Sequence, residues 1–197
     1  GIDNDVLKRI NYDIQEELNG QRDNNLKIDD VSQFAPSLTV YGLNALGIQG
    51  KNDFKDRTII LGTASLIMGS TVTAMKKLTA IERPDGSNKL SFPSGSTAIA
   101  FMGAEFLYQE YKDVSIWYGI SGYLVATGTG FLRMHNNKHW FTDVVTGAGI
   151  GILSTKIAYW IHPHVKKILF KDKKEISGIV MPFHNGKEYG LGLSMSF

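Results

Sequence analysis

No cysteine occurs among the 197 residues, which excludes disulfide bracing, thiolate-held zinc, iron–sulfur clusters and cysteine nucleophiles. The compartment stays open, because a chain without thiols persists in any redox environment. A surplus of one charge is missing as well: Lys+Arg of 21 against Asp+Glu of 19 leaves a formal +2. The broad electropositive surface on which non-specific nucleic-acid binding relies is therefore absent, and any anion site has to be local. Repeats and low-complexity tracts are lacking. With 43% hydrophobic residues and 21 glycines, the chain is neither disordered nor a coiled coil, and its length supports one sizeable core. The opening Gly1-Ile2-Asp3-Asn4 does not have the basic-then-apolar pattern of a signal peptide.

What is present reads as helix. Val6, Leu7, Ile10, Ile14 and Leu18 recur at helical spacing against a polar face, which predicts an amphipathic first helix ending near Asn19-Gly20. A polar link over residues 21–30 precedes a short helix near Leu38 to Leu46. A long helix is expected from about Lys55 to Leu78, stopped by the turn formers of 83–88. Further helices are expected from Pro93-Ser94-Gly95 to Tyr111, from a cap at Asp113 or Ser115 to Leu132, and from His139 to Ile161, where His162-Pro163-His164 ends the pattern. Gly122, Ala126 and Gly130 share one helical face, and Gly147 and Gly151 another, which predicts close helix contacts. Two uncharged stretches, Thr58 to Met75 and Val114 to Leu132, reach membrane-span length. Their Gly, Ser and Thr content predicts buried helices of a soluble bundle instead. Trp117, Tyr118, Trp140, Tyr159 and Trp160 are expected as core or pocket walls. In the tail, Asn185-Gly186 between apolar runs signals a β-hairpin. The expected organisation is a helical domain over residues 1–175 and a hairpin tail over 176–197.

Three segments gather cations and hydrogen-bond donors at helix ends and loops: Lys76 with Arg83, Ser94 with Gly95, and Arg133 with His139 and Asp143. Two guanidinium forks and an ammonium suit a tetrahedral oxyanion. The amides after Ser94, at a helix start, add unpaired donors and a positive dipole end, and Gly95 allows close backbone approach. On a helix, Asp143 would share a face with His139 and orient its imidazole, leaving the second ring nitrogen free to attack phosphorus. His135, His139 and Asp143 also have metal-ligand spacing. The neighbouring Arg133 and Lys138 argue against a dication there, so neither a metal nor another cofactor is expected.

Lys76 with six residues before Arg83-Pro84, then Pro93-Ser94-Gly95, then Arg133 with five residues before His139 and three more before Asp143, resembles the three-part signature of the type 2 phosphatidic acid phosphatase superfamily. That superfamily also holds bacterial class A acid phosphatases and vanadium haloperoxidases. The resemblance implies an all-α bundle and metal-independent hydrolysis of phosphomonoesters or pyrophosphates, phospholipids such as phosphatidic acid among them. It further implies a phosphohistidine on His139 oriented by Asp143, and phosphate held by Lys76, Arg83, Ser94, Gly95 and Arg133. The implied setting is periplasmic, with possible contact at a membrane surface. One departure matters. The second element normally ends in a histidine, the general acid that protonates the leaving oxygen, and this chain has Ser96 there. A serine hydroxyl has neither the pKa nor the reach for that task. Leu132 also stands where a small polar residue often precedes the arginine. Two rivals follow: a phosphate- or phospholipid-binding module without turnover, and vanadate-dependent halide oxidation, which ranks lower because it leans on the same missing histidine.

Overall fold

A computed structural model describes residues 5–19, 28–170, 177–184 and 189–196. Seven helices follow one another: α1 (Asp5–Asn19), α2 (Ile28–Ser32), α3 (Ala35–Ala45), α4 (Phe54–Thr79), α5 (Gly95–Tyr111), α6 (Ile116–His135) and α7 (Phe141–Leu169). Strands β1 (Ser177–His184) and β2 (Tyr189–Ser196) pair antiparallel, Ser177 opposite Ser196 and His184 opposite Tyr189. The chain divides into two compact units, Gly1–His162 and Pro163–Phe197. The all-α class holds for the bundle. The Asn185-Gly186 turn lies outside the described residues, as does most of the 21–30 link, whose end is helical in α2.

Local signals set the helix ends. Asp53 caps α4 by accepting from the Asp56 amide at 2.7 Å, and α4 closes on Ala80, whose φ of 45° puts it in the left-handed region that ends helices. Ser94 and Ser115 cap α5 and α6 through their side chains. The end of α7 differs from expectation: the helix runs through Pro163 to Leu169 instead of stopping at His162. The proline removes a single backbone donor, and the helix continues on both sides of it. His162 is accordingly a mid-helix residue facing Asp56 Oδ1 at 3.6 Å, not a C-terminal dipole partner.

Helix α5 is the axis of the bundle. Ile60, Ala64, Met68 and Val72, four apart along α4, pack with Ala98, Met102 and Phe106 of α5, and Val40 and Ala158 complete the same core. Glycines let the neighbours in. A Cβ on Gly147 would lie 2.5 Å from the Ser94 carbonyl oxygen, and one on Gly151 would collide with the Ala98 carbonyl, so α7 crosses α5 backbone to backbone. On α6, Gly122 and Gly130 make room for side chains, Leu107 of α5 and Val144 of α7. At the end of the bundle formed by the start of α4 and the end of α5, Arg57 is fully buried; its Nε donates to Glu110 Oε2 at 3.3 Å, and the same carboxylate takes the Tyr159 hydroxyl at 2.5 Å.

The expectation of a soluble bundle with buried long helices is corrected here. Helices α4 and α7 are long and apolar enough to cross a membrane, and only 22% and 28% of their apolar stretches are buried. Leu66, Leu124, Leu153 and Trp160 stand at 76%, 68%, 60% and 80% exposure, and Trp117 is exposed with them, so neither tryptophan is core. Helix α6 does not reach the span threshold, although its outer face is apolar. An apolar girdle left uncovered around a well-packed interior is the surface of a membrane-associated protein.

Candidate active site

Lys76 sits in the last turn of α4, Ser94 caps α5, Arg133 lies in the last turn of α6, and Asp143 is in the first turn of α7. Because the four helices alternate in direction, these ends meet at one end of the bundle. The loops between them are tied together. Ser91 N donates to Ile81 O at 2.9 Å, Lys138 pairs with Asp85 at 2.8 Å, and Trp140 Nε1 donates to Glu82 O at 2.9 Å. Asp85 shows the strength of that tie: burial would raise its pKa, yet hydrogen bonds from Lys138 and Ser87 bring it down to about 2.

His139 is not on α7, as its four-residue spacing from Asp143 suggested. It precedes the helix in a turn made by Asn137, whose φ of 53° is left-handed, and the turn folds back so that the Lys138 and His139 amides both donate to Arg133 O. Asp143 is the third residue of α7. Its Oδ2 accepts from the Trp140 amide at 2.9 Å, as the third residue of a capping box does, and from Ser91 Oγ at 2.5 Å. The same oxygen faces His139 Nδ1 at 3.5 Å, with both side chains almost wholly buried at 2% and 1% exposure. Helix capping and the Ser91 hydroxyl therefore lock the carboxylate that orients the ring. Burial lowers the His139 pKa, countered in part by the nearby Asp143 carboxylate.

The cations converge above this pair. Lys76, Arg83, Arg133 and Asp143 lie near enough for their charges to act on one another. The Nε atoms of Arg83 and Arg133 are buried without a partner among the described residues, as is His139 Nδ1 by hydrogen-bond geometry. Buried guanidinium donors without acceptors are costly unless an anion completes them. Lys76 Nζ meanwhile holds the Leu90 and Ser91 carbonyls at 2.5 and 3.3 Å, bracing the loop before α5. The Ser94 side chain is engaged in capping: its Oγ accepts from Thr97 N at 3.4 Å and shares a hydrogen bond with Thr97 Oγ1 at 2.9 Å, while its amide donates to Asp143 O at 3.0 Å. A Cβ on Gly95 would lie 4.0 Å from Lys76 Cε, so the first two motif segments touch. Ser96, next along α5, is half-buried. Among the described residues no three His, Cys, Asp or Glu side chains cluster closely enough to hold a metal.

Two features escaped sequence reasoning. Arg133 Nη1 carries two carboxylates, Asp29 at 2.7 Å and Asp30 at 3.0 Å, both from α2; the pairing spans about a hundred residues of sequence and has no local signal. Helix α1 also packs beside the site. Asn11 exchanges two hydrogen bonds with Thr142, and Tyr12 meets Trp140 edge to face at 5.4 Å. Between them lies a cavity of about 560 Å³ walled by Leu7, Tyr12, Ile81, Phe92 and Trp140 and bordered by Asp143. Its walls are mostly apolar, and neither His139 nor the three cations line it.

Comparison with known proteins was informative. The family described as the PAP2 superfamily matches residues 57–167. Over 149 residues the chain is 39% identical to a Porphyromonas gingivalis protein named Lipid A 1-phosphatase, a match covering 74% of this chain and 32% of that protein. The chain thus spans about a third of the length of that curated relative. The crystal structure of Aquifex aeolicus LpxE superposes with a TM-score of 0.58 at 24% identity, covering 76% of this chain and 94% of that one. A Bacillus subtilis structure, described as a transmembrane PAP2 type phosphatidylglycerolphosphate phosphatase, gives 0.51 at 18% identity, covering 84% and 90%. At these identities the two structures speak to the fold alone.

Proposed function

The chain belongs to the PAP2 superfamily, and from that membership we propose that it is a phosphatase of lipid phosphomonoesters or pyrophosphates, with His139 as nucleophile. The observation that carries the reading is the buried His139–Asp143 pair set below two guanidinium groups whose Nε donors have no acceptor among the described residues. Asp143 faces the protonated Nδ1 and fixes that tautomer, which leaves His139 Nε2 with its lone pair free. That nitrogen attacks phosphorus in line, the N–P bond forms as the ester P–O bond breaks, and Arg83, Arg133 and the first amides of α5 hold the equatorial oxygens. Water then cleaves the N–P bond and releases inorganic phosphate. With Ser96 at the acid position, the departing alkoxide takes its proton from water, so the first step is slow for a poor leaving group.

A lipid substrate is supported by the uncovered apolar faces of α4 and α7 and by the relative named Lipid A 1-phosphatase. The site sits at one end of those helices, where a head group at the membrane boundary meets it, and we place that end on the periplasmic side. The test is phosphate release by the detergent-solubilised chain from vesicles containing a lipid phosphomonoester. Release that survives a chelator and is abolished by His139→Ala agrees with this chemistry; turnover unaffected by His139→Ala refutes it. Ser96 favours one second reading, a phospholipid-phosphate binding module without turnover. Vanadate binding with no phosphate release, before or after Ser96→His, would decide for it.

A further inference from the structure

Helix α2 lies outside the segment that matches the family, residues 57–167, yet it delivers two carboxylates to a guanidinium of the proposed phosphate site. A guanidinium has five N–H donors: one on Nε and two on each Nη. Both Nη1 donors of Arg133 have partners, Asp29 Oδ2 at 2.7 Å and Asp30 Oδ1 at 3.0 Å. Its Nε is buried and has no partner among the described residues. On the edge formed by Nε and Nη2, the one that can grip two oxygens of a tetrahedral anion at once, the Nε donor is therefore left unused.

The two aspartates are not equivalent. Asp29 has 3% side-chain exposure and Asp30 64%, so the Asp29 contact is shielded from solvent and the Asp30 contact is screened by it. The position of α2 does not depend on the ion pair alone. Ser32 Oγ shares a hydrogen bond with Thr129 Oγ1 at 2.8 Å, one helical turn before Arg133, so α2 runs antiparallel along the end of α6. An arginine at a helix C-terminus has several staggered rotamers open to it; the fixed Asp29 carboxylate selects one.

We infer that Asp29 is a positioning residue for the phosphate site: it holds Arg133 by Nη1 so that the Nε–Nη2 edge faces the anion. The inference rests on the phosphatase reading of the site. Orthovanadate binding, measured by isothermal titration on the full chain, tests it alongside phosphate release. Asp29→Asn should weaken vanadate binding at least tenfold and lower kcat more than it raises KM. Asp30→Asn should change affinity less than threefold. In the Arg133→Ala background, Asp29→Asn should add nothing, since there is no guanidinium left to position. Unchanged affinity in Asp29→Asn, with Arg133→Ala still damaging, overturns the positioning role and leaves the phosphatase reading intact. Tighter binding or faster turnover in Asp29→Asn overturns it in the other direction, as a carboxylate competing with the anion would behave. If Asp29→Asn does not fold, Asp29→Glu keeps the charge and shifts it by one methylene: an unchanged melting temperature with weakened vanadate binding supports the role, and full affinity overturns it. Failure of the unmodified chain both to bind vanadate and to release phosphate overturns both readings together, whereas vanadate binding without release overturns the phosphatase reading alone.

Discussion

Replacing Ser96 with histidine isolates the cost of the missing acid. Position 96 is the second residue of α5, half-buried, beside Gly95 and within the same turn as the Ser94 cap. The cap does not involve the Ser96 side chain, so the substitution leaves the Ser94–Thr97 and Ser94–Asp143 bonds in place. General acid catalysis contributes about 10² to 10⁴ in rate, or about 2.7 to 5.4 kcal/mol of barrier. That gain accrues only where the leaving oxygen needs a proton. An alkyl or lipid phosphate should therefore speed up by about two to four orders of magnitude. p-Nitrophenyl phosphate, whose leaving group departs as a stable anion, should gain less than about tenfold. Initial rates on both substrates, measured side by side in one detergent, give the ratio. Equal acceleration of the two would refute the account of Ser96, because an effect blind to the leaving group belongs to binding or folding.

Three further outcomes follow from the geometry. Burial depresses the His139 pKa and the attacking form is neutral, so the acid limit of kcat/KM should fall below the ordinary histidine value of 6.5. The same shift means that the unfolded chain binds this proton more readily than the folded one, so His139 contributes stability above pH 6.5 that is lost as pH falls through its folded pKa; thermal melts of the chain and His139→Gln across that window report it. Glu110→Ala strands the buried Arg57 guanidinium and removes the acceptor of Asn52 and Tyr159. It should cost about 3 to 5 kcal/mol, visible as an early unfolding transition with turnover per folded molecule retained. Gly147→Ala sets a methyl 2.5 Å from the Ser94 carbonyl, forcing α7 off α5 at a cost of about 1 to 3 kcal/mol. It should lower kcat as well as the melting temperature, because the Ser94–Asp143 bond crosses that contact.

Features fixed by local chemistry were legible in the sequence. The caps at Ser94 and Ser115, the breaks near 80 and 136 and the small-residue faces of α6 and α7 follow from one or a few neighbouring residues, and the three motif segments landed at helix ends as their turn formers require. Pro163 misled because a proline weighs heavily in a local reading, whereas a 29-residue helix held elsewhere loses only one bond to it. The soluble reading of α4 failed for a different reason. Its glycines, serines and threonines look like dilution in sequence, but Thr63, Ser65 and Thr71 turn their hydroxyls onto carbonyls three or four residues back, so the helix presents few free polar groups to its surroundings. Asp29 and Ser91 were invisible as site residues because each acts across fifty residues or more, and no periodicity encodes a contact of that range.

The two buried polar layers fit the membrane reading. Arg57 and Lys76 are both on α4, nineteen residues apart, which at 1.5 Å per residue is about 28 Å along the axis. Ser94 and Glu110 on α5 are about 24 Å apart by the same rise. A bilayer's hydrocarbon core is about 30 Å thick. The charged side chains of α4 therefore sit toward its two ends, and the outward face between the layers carries Leu66 on α4 and Leu153 on α7; Glu105, buried and taking the Tyr123 hydroxyl, and the exposed Lys156 are the charges that lie between. In the Arg57–Glu110–Tyr159 layer Arg57 Nε and the Tyr159 hydroxyl are paired and Arg57 Nη1 alone of these atoms lacks a partner among the described residues; in the Arg83–Arg133–His139 layer the Nε of both guanidiniums and His139 Nδ1 lack one. A helix pair in water needs no such spacing, since charge can sit anywhere along its exposed face. In a bilayer, an ionisable group at mid-depth costs several kcal/mol, so charge is pushed to the boundaries. Most of one boundary is closed by pairing, and the donors left at the other are the ones that the proposed phosphatase reading assigns to phosphate.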